Sequence, residues 1–173
     1  EAETAAILEP YRERPNFVYL KTTGKTGGGA ARNFAIRHCT GQYVAFLDDD
    51  DRYLPEKLEK QYRFMEEYDL DGSYQDVKWV DSSEKLVELR TMDYTSDYST
   101  ESLLRAHILH SICPTAIYMF RRDKLLETEG FGEVSMGQDF YLMLRCIESG
   151  MKLPANFYKC GDLTVQKHYI AWN

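Results

Sequence analysis

Apolar and polar positions are arranged along this chain in blocks that predict alternating helices and strands. Apolar residues recur at helical spacing in some blocks, and short continuous apolar runs in others predict strands. The predicted helices cover 3–14, 30–38, 56–68, 102–109, 121–127 and 138–149, and the predicted strands cover 17–20, 42–47, 72–80, 85–90 and 116–120. In the last helix Phe140, Leu144 and Ile147 share the apolar face. The alternation in the first part is typical of a doubly wound α/β sheet.

The strand predicted at 42–47 is a continuous apolar run that ends in four aspartates, Asp48, Asp49, Asp50 and Asp51. Four adjacent carboxylates repel one another unless a cation lies among them. Ligands of open α/β sheets bind beyond the carboxyl ends of the strands. Asp48 and Asp50 can both reach one Mg²⁺ or Mn²⁺ there, with Asp51 assisting through water. The alternative, a solvated acidic turn that caps the next helix, explains one or two of the aspartates but not four.

A glycine-rich loop precedes the helix predicted at 30–38. It contains Gly-Lys-Thr, but a P-loop also requires a glycine five positions before Gly24, where the chain has Tyr19. The contiguous glycines 27–29 permit close approach of the backbone to a ligand and leave the helix N-terminus open to negative charge. Arg32, one turn into the helix, could face a nucleotide. The alternative is a flexible loop followed by a surface arginine.

Acids and histidines in the second half offer weaker signals. Asp139 opens the helix at 138–149, where an acid is often no more than a favourable partner of the helix dipole. His107, His110 and Cys113 have a spacing seen in metal sites but lack a fourth ligand, and we interpret them as core or edge residues. His168 in the tail could fold back over a site or be an ordinary surface histidine.

Composition limits the class of protein. At 173 residues the chain, 1–173, is expected to form one domain. The net charge of −7 argues against a general nucleic-acid binder. Four widely spaced cysteines without a CxxC pair suit reduced thiols in a cytosolic compartment. No apolar run approaches the ~20 residues of a transmembrane helix.

These motifs occur together in one order, and the combination over about residues 3–150 resembles the family 2 glycosyltransferases, which have the GT-A fold. The first half contains Ala31-Arg32-Asn33, Thr40-Gly41, Phe46-Leu47-Asp48-Asp49-Asp50-Asp51, Tyr53, Pro55 and Lys57-Leu58-Glu59. The second half contains Gly130-Phe131-Gly132-Glu133, Gln138-Asp139 and Arg145. Together and in this order, these motifs are a specific signal of the resemblance.

The resemblance implies a GT-A fold, with a Rossmann-like mixed sheet flanked by helices, and a metal-dependent inverting glycosyltransferase. It implies that Asp48 and Asp50 form the DxD motif that holds Mg²⁺ or Mn²⁺, with Asp51 assisting and His168 as a further candidate ligand. It implies that Asp139 is the base that takes a proton from the acceptor hydroxyl. The donor would be bound by Arg32, near the nucleobase, and by Gly29, Asn33, Asp48 and Asp49.

The resemblance also implies the kinds of partner. The donor would be a UDP-, GDP- or dTDP-sugar, and the acceptor a carbohydrate or a lipid-linked molecule in glycan or cell-envelope polysaccharide synthesis. The expected location is the cytoplasm, either free or at the inner face of the membrane. A nucleic-acid partner and a transmembrane segment are not expected.

Two features depart from the family pattern. Gln138 stands where the family usually has Glu, and the family's N-terminal nucleotide-binding strands are not found before residue 3. We therefore expect an N-terminally truncated sheet whose exposed edge invites association into a homo-oligomer. The alternative function is a truncated, catalytically inert binding or assembly module. A phosphatase or nuclease is a third interpretation, but it lacks a second acidic cluster.

Overall fold

A computed structural model describes residues 2–24, 26–155 and 165–168. Its helices are α1 (Ala2–Leu8), α2 (Gly28–His38), α3 (Lys57–Glu67), α4 (Thr100–His110), α5 (Arg122–Glu127) and α6 (Gln138–Glu148), with 3-10 turns at Glu9–Tyr11 and Thr115–Ile117. Its strands are β1 (Tyr43–Ala45), β2 (Asp51–Tyr53), β3 (Gly72–Ser73), β4 (Val77–Val80), β5 (Leu86–Arg90), β6 (Met119–Arg121) and β7 (Val165–His168). Within these residues no helix is both long and apolar enough to cross a membrane.

The strands form two sheets. In the three-stranded sheet, ordered β1-β6-β3, Phe120 of β6 pairs with Val44 on one side and Gly72 on the other, and both pairings are antiparallel. The four-stranded sheet has the order β2-β7-β4-β5. In it β4 runs parallel to β7 and antiparallel to β5, while β2 runs antiparallel to β7. The predicted mixed sheet flanked by helices is therefore confirmed.

Four of the predicted strands differ from the structure. The strand predicted at 72–80 is divided into β3 and β4, and the segment predicted at 116–120 begins in a 3-10 turn and becomes a strand only at Met119. Residues 17–20 do not form a strand, because a strand requires a neighbour for its backbone hydrogen bonds and none of the described strands lies beside them. Val18 is accordingly 73% exposed. The strand predicted at 42–47 shortens to Tyr43–Ala45 and is half-buried. Among the described strands it has one neighbour, β6, in antiparallel pairing.

The main core lies between α4, α6 and the sheets. Ser99 caps the N-terminus of α4: its hydroxyl accepts a hydrogen bond from the Ser102 N–H. Helix α6 is amphipathic as predicted, but its buried face is rotated from the predicted one. Phe140 and Leu144 are half-buried, and the fully buried residues are Leu142, Met143, Cys146 and Ile147.

The free thiols are those of Cys39, Cys113 and Cys146. Cys160 lies outside the described residues. Burial raises the pKa of the Cys146 thiol to about 12, so this cysteine remains protonated and behaves as an apolar core residue.

Helix α3 turns polar side chains toward the sheet. Gln61 donates from Nε2 to the carbonyl groups of Ser73, at 3.0 Å, and Ile117, at 3.1 Å, and these bonds fasten the helix to the sheet. One turn earlier Lys57 is 1% exposed, and its Nζ lies 4.2 Å from the centre of the Tyr53 ring. Nζ has no hydrogen-bond partner among the residues that the structure describes. Burial lowers the pKa of Lys57 to about 7.

The buried amine of Lys57 should make stability depend on pH. The folded protein releases the Lys57 proton above about pH 7, whereas the unfolded chain keeps it up to about pH 10.5. Because the unfolded state then binds more protons, stability should rise with pH in this window. We expect the parent to gain about 1–2 kcal/mol over Lys57→Met between pH 7 and 8.5, as measured by urea unfolding at each pH.

The control for this prediction is Lys152→Met, which removes an exposed lysine whose side chain is 64% accessible. Its unfolding free energy should follow that of the parent across the same pH range. Parallel curves for Lys57→Met and the parent would contradict the prediction, since they would show that Lys57 binds its proton equally in both states.

Candidate active site

The four aspartates form a tight turn after β1. The Asp51 N–H donates to the Asp48 carbonyl at 3.1 Å, which closes a four-residue turn. As a result, one carboxylate oxygen from each of Asp48, Asp50 and Asp51 lies within 4.8 Å of the others. Three carboxylates so close together provide the hard oxygen ligands that Mg²⁺ and Mn²⁺ prefer.

A hydrogen bond joins the two sides of this acidic turn. The Tyr53 hydroxyl donates to the backbone carbonyl of Phe46, so that the residue two after Asp51 is tied to the residue two before Asp48. Burial raises the pKa of Tyr53, and the negative charges of Asp48 and Asp51 raise it further. The phenol therefore stays protonated and keeps its donor role.

Arg32 from α2 supplies positive charge to the turn. Its Nη2 lies 2.5 Å from Oδ1 of Asp48, and the side chains of both residues are largely covered, at 29% and 24% exposure. The guanidinium also lies 5.5 Å from the centre of the Phe131 ring. The ion pair offsets part of the repulsion among the carboxylates and fixes the end of β1 relative to α2.

Asp139 lies in the first turn of α6, after Gly137, whose φ of 69° places it in the left-handed region. The Asp139 Oδ1 accepts a hydrogen bond from the Phe140 N–H at 2.9 Å. Asp139 shares one open depression of about 320 Å³ with Arg32 and Asp48. The other residues that line it are Thr115, Ser135, Met136, Gly137 and Gln138.

The glycine loop packs closely against Gln138. A Cβ at Gly28 would lie 3.2 Å from Oε1 of Gln138, and a Cβ at Gly29 would lie 3.2 Å from Cβ of Phe131. Gln138 Nε2 donates to the Val134 carbonyl at 3.2 Å. At these two positions the absence of a side chain therefore allows α2 to approach the N-terminus of α6, in addition to any contact with a ligand.

Gly29, Asn33 and Asp49 do not line the depression that contains Asp139. The Asn33 amide nitrogen donates to the Phe131 carbonyl at 2.8 Å, and its oxygen accepts from the Phe131 N–H at 2.9 Å. Asn33 also lines a second depression of about 410 Å³. Asp49 is exposed and is not part of the carboxylate cluster. The backbone of His168 pairs with Val80, but the side chain lies outside what the structure describes. The proposed roles of Gly29, Asn33, Asp49 and His168 stay predictions.

His107 and Thr115 are near the site but were not predicted to belong to it. The His107 ring is fully buried, and both its nitrogens bind backbone groups, of Ile112 and Phe140. His110 instead stacks on Tyr94, with ring centres 4.5 Å apart. The interpretation of these histidines as core and edge residues fits this arrangement. The spacing of the histidines in the sequence gave no indication of their backbone partners.

Comparison with known proteins places this chain in a family. Residues 1–127 match the family model described as glycosyl transferase family 2. An uncharacterised glycosyltransferase of Methanocaldococcus jannaschii is 28% identical over 150 residues, which cover 84% of this chain and 50% of that protein. The putative teichuronic acid biosynthesis glycosyltransferase TuaG of Bacillus subtilis is 46% identical over 67 residues, 37% of this chain and 26% of that protein.

Solved structures show the same fold. Residues 1–349 of TarS from S. aureus match this chain with a TM-score of 0.74 at 22% identity, covering 96% of this chain and 48% of that one. The same protein in complex with UDP-GlcNAc matches with a TM-score of 0.71 at 21% identity, covering 99% and 47%. The chain thus spans about half the length of these proteins, or less. The fold is that of the GT-A glycosyltransferases, and with its family model matched over residues 1–127 the chain belongs to glycosyl transferase family 2.

Proposed function

We propose that this chain carries the catalytic centre of an inverting, divalent-metal-dependent glycosyltransferase that moves a sugar from a nucleoside-diphosphate donor to an acceptor hydroxyl. The observation that carries the proposal is the meeting of three distant segments in one place. Arg32, Asp48 and Asp139 line a single depression, and Asp50 and Asp51 cluster with Asp48 beside it. The TarS structure with bound UDP-GlcNAc supports a nucleotide-sugar donor.

The acidic turn has the chemistry of a Mg²⁺ or Mn²⁺ site. Asp48, Asp50 and Asp51 offer three carboxylate oxygens within 4.8 Å of one another, and no thiol or imidazole ligand belongs to this cluster as described. Such a donor set fits a hard divalent cation. When bound, the cation would neutralise charge on the donor's diphosphate. His168, if its side chain reaches the turn, would add a nitrogen ligand.

Arg32 would orient the donor. Its ion pair with Asp48 uses part of the guanidinium, and the remaining N–H groups are available for the nucleotide in the same depression. The pair holds the guanidinium in place before the donor binds, which lowers the entropy lost on binding.

Asp139 would act on the acceptor. Its carboxylate would accept the proton of the acceptor hydroxyl as the hydroxyl oxygen forms its bond to the anomeric carbon. The bond from that carbon to the diphosphate oxygen breaks on the opposite face, so the configuration inverts and the nucleoside diphosphate leaves. Gln138 beside it is neutral, and its amide is held by the Val134 carbonyl, so it adds no charge to the base.

The names of two relatives support a proposal for the biological setting. They are TuaG, named for teichuronic acid biosynthesis, and an E. coli protein named for O-antigen biosynthesis, which is 27% identical over 147 residues. The proposed role is therefore the synthesis of a cell-envelope polysaccharide, with a carbohydrate or lipid-linked acceptor.

Loss of one carboxylate of the turn should remove metal-dependent donor binding. We expect Asp50→Ala to bind UDP, GDP and dTDP equally weakly with and without Mn²⁺, because two carboxylates hold the cation less tightly than three. Calorimetric titration of each nucleotide, with and without Mn²⁺, measures this directly. The parent should bind one of the three nucleotides, and do so only with Mn²⁺.

The control for this titration is Glu67→Ala, which removes an exposed carboxylate at the far end of α3 and should bind as the parent does. Parental, Mn²⁺-dependent binding by Asp50→Ala would disprove the metal assignment. Absence of nucleotide binding by the parent itself would favour the inert binding or assembly module.

Asp139→Asn should separate binding from transfer. The amide keeps the shape of the side chain but cannot accept the acceptor proton, so nucleotide affinity should stay at the parental level while kcat falls by about 10²- to 10⁴-fold. The measurement is release of nucleoside diphosphate from a sugar nucleotide in the presence of simple glycosides as acceptors. Parental turnover in Asp139→Asn would show that Asp139 is not the base, and release of inorganic phosphate would favour a phosphatase.

A further inference from the structure

We propose that His107 is a positioning residue, whose Nε2–H holds the first turn of α6 and thereby places the Asp139 carboxylate for proton transfer. The inference rests on the proposed function, since it concerns the geometry of the proposed base. It assigns a role in the site to a buried histidine on α4, 32 residues before Asp139 in the sequence.

The partners of the ring fix its protonation state. The Ile112 backbone N–H donates to Nδ1 at 3.0 Å, so Nδ1 carries no proton. Nε2 lies 2.9 Å from the Phe140 carbonyl oxygen, which can only accept, so Nε2 carries the proton. The imidazole is therefore neutral and has one defined tautomer. Each nitrogen has a single backbone partner, which leaves neither of them free for a metal ion.

The surroundings of His107 restrict its movement. The residue is fully buried, and its ring stacks on the Phe140 ring with centres 4.1 Å apart. Burial lowers the pKa of His107, which favours the neutral form that the two hydrogen bonds require. Ile112, the partner of Nδ1, is itself held because its carbonyl accepts the hydroxyl hydrogen bond of the buried Tyr118.

The bond from Nε2 ends next to the proposed base. Phe140 directly follows Asp139, and its own N–H donates to the Asp139 carboxylate. Both backbone groups of Phe140 are therefore engaged. Its C=O accepts from the His107 ring, and its N–H donates to the Asp139 carboxylate. Helix α6 begins after Gly137, which has a left-handed conformation. The bond from His107 to the Phe140 carbonyl links the first turn of this helix to α4, and so to the body of the protein.

Two isosteric replacements separate the two hydrogen bonds. The amide nitrogen of glutamine can reach the position of Nε2, so His107→Gln can keep the bond to Phe140. The amide oxygen of asparagine lies near the position of Nδ1, so His107→Asn can keep the bond to Ile112 but not the one to Phe140. The matched control is His110→Gln, on the same helix but exposed and stacked on Tyr94.

The expected result is a difference between the two variants in kcat alone. His107→Asn should lose about 10- to 100-fold in kcat, since a small misplacement of a catalytic group has this effect, with KM for the sugar nucleotide and affinity for the nucleoside diphosphate at parental values. His107→Gln and His110→Gln should retain most of the parental kcat. A general loss of fold would instead change kcat, KM and nucleotide affinity together.

Hydrogen exchange provides a second measurement that requires no turnover. The Tyr141 N–H donates to the Gly137 carbonyl at 2.9 Å in the turn that His107 holds. We expect the Tyr141 and Leu142 amides to exchange faster in His107→Asn than in the parent, and at the parental rate in His107→Gln.

Three results would overturn the inference: parental kcat in His107→Asn, equal losses of kcat in both His107 variants, or unchanged exchange at Tyr141 and Leu142 in His107→Asn. Failure of the proposed function has a different signature. If the parent shows no transfer from any sugar nucleotide, the role of Asp139 as base fails, while the exchange rates still decide whether His107 holds α6.

Discussion

The ion pair between Arg32 and Asp48 is the contact on which the geometry of the site depends. Four consecutive aspartates would repel one another and loosen the turn after β1 if no positive charge lay beside them. Arg32 reaches Asp48 from α2, and both side chains are largely covered by the protein. Water and salt therefore screen their attraction less than they screen an ion pair on the surface. It therefore joins the helix that follows the glycine loop to the strand that presents the carboxylates.

The same arrangement explains the glycines. For Arg32 to reach Asp48 while Gln138 contacts the start of α2, the N-termini of α2 and α6 must come close together. A side chain at Gly28 would lie 3.1 Å from the Arg32 guanidinium, and one at Gly29 would lie 3.3 Å from Gln138. Contacts within the protein thus explain the glycines of the loop, and the proposed nucleotide binding would be a separate requirement on the same residues.

The sequence predicted five of the six described helices well and the strands less well, for a physical reason. The sixth, predicted at 3–14, ends as an α-helix at Leu8 and is followed by a 3-10 turn, Glu9–Tyr11. The starts of α3 and α6 lie within a residue of their predicted positions because periodicity and local turn residues determine them. The strand expected at 17–20 depends on a neighbouring strand, which no local pattern reveals. Among the site residues, Asp48 and Asp139 could be found from motifs. His107 could not, because its partners are backbone groups of Ile112 and Phe140, whose positions only the fold determines.

Three side chains that hold the site share one feature, which is that each binds a backbone group of a phenylalanine. Asn33, next to Arg32, binds Phe131; Tyr53 binds the Phe46 carbonyl across the acidic turn; and His107 binds the Phe140 carbonyl beside Asp139. The Phe46 and Phe131 rings then pack edge to face at 5.4 Å. Each of these bonds fixes the backbone close to a charged residue of the site and so helps to orient it. Arg32, Asp48 and Asp139 themselves line the depression, where a ligand can reach them.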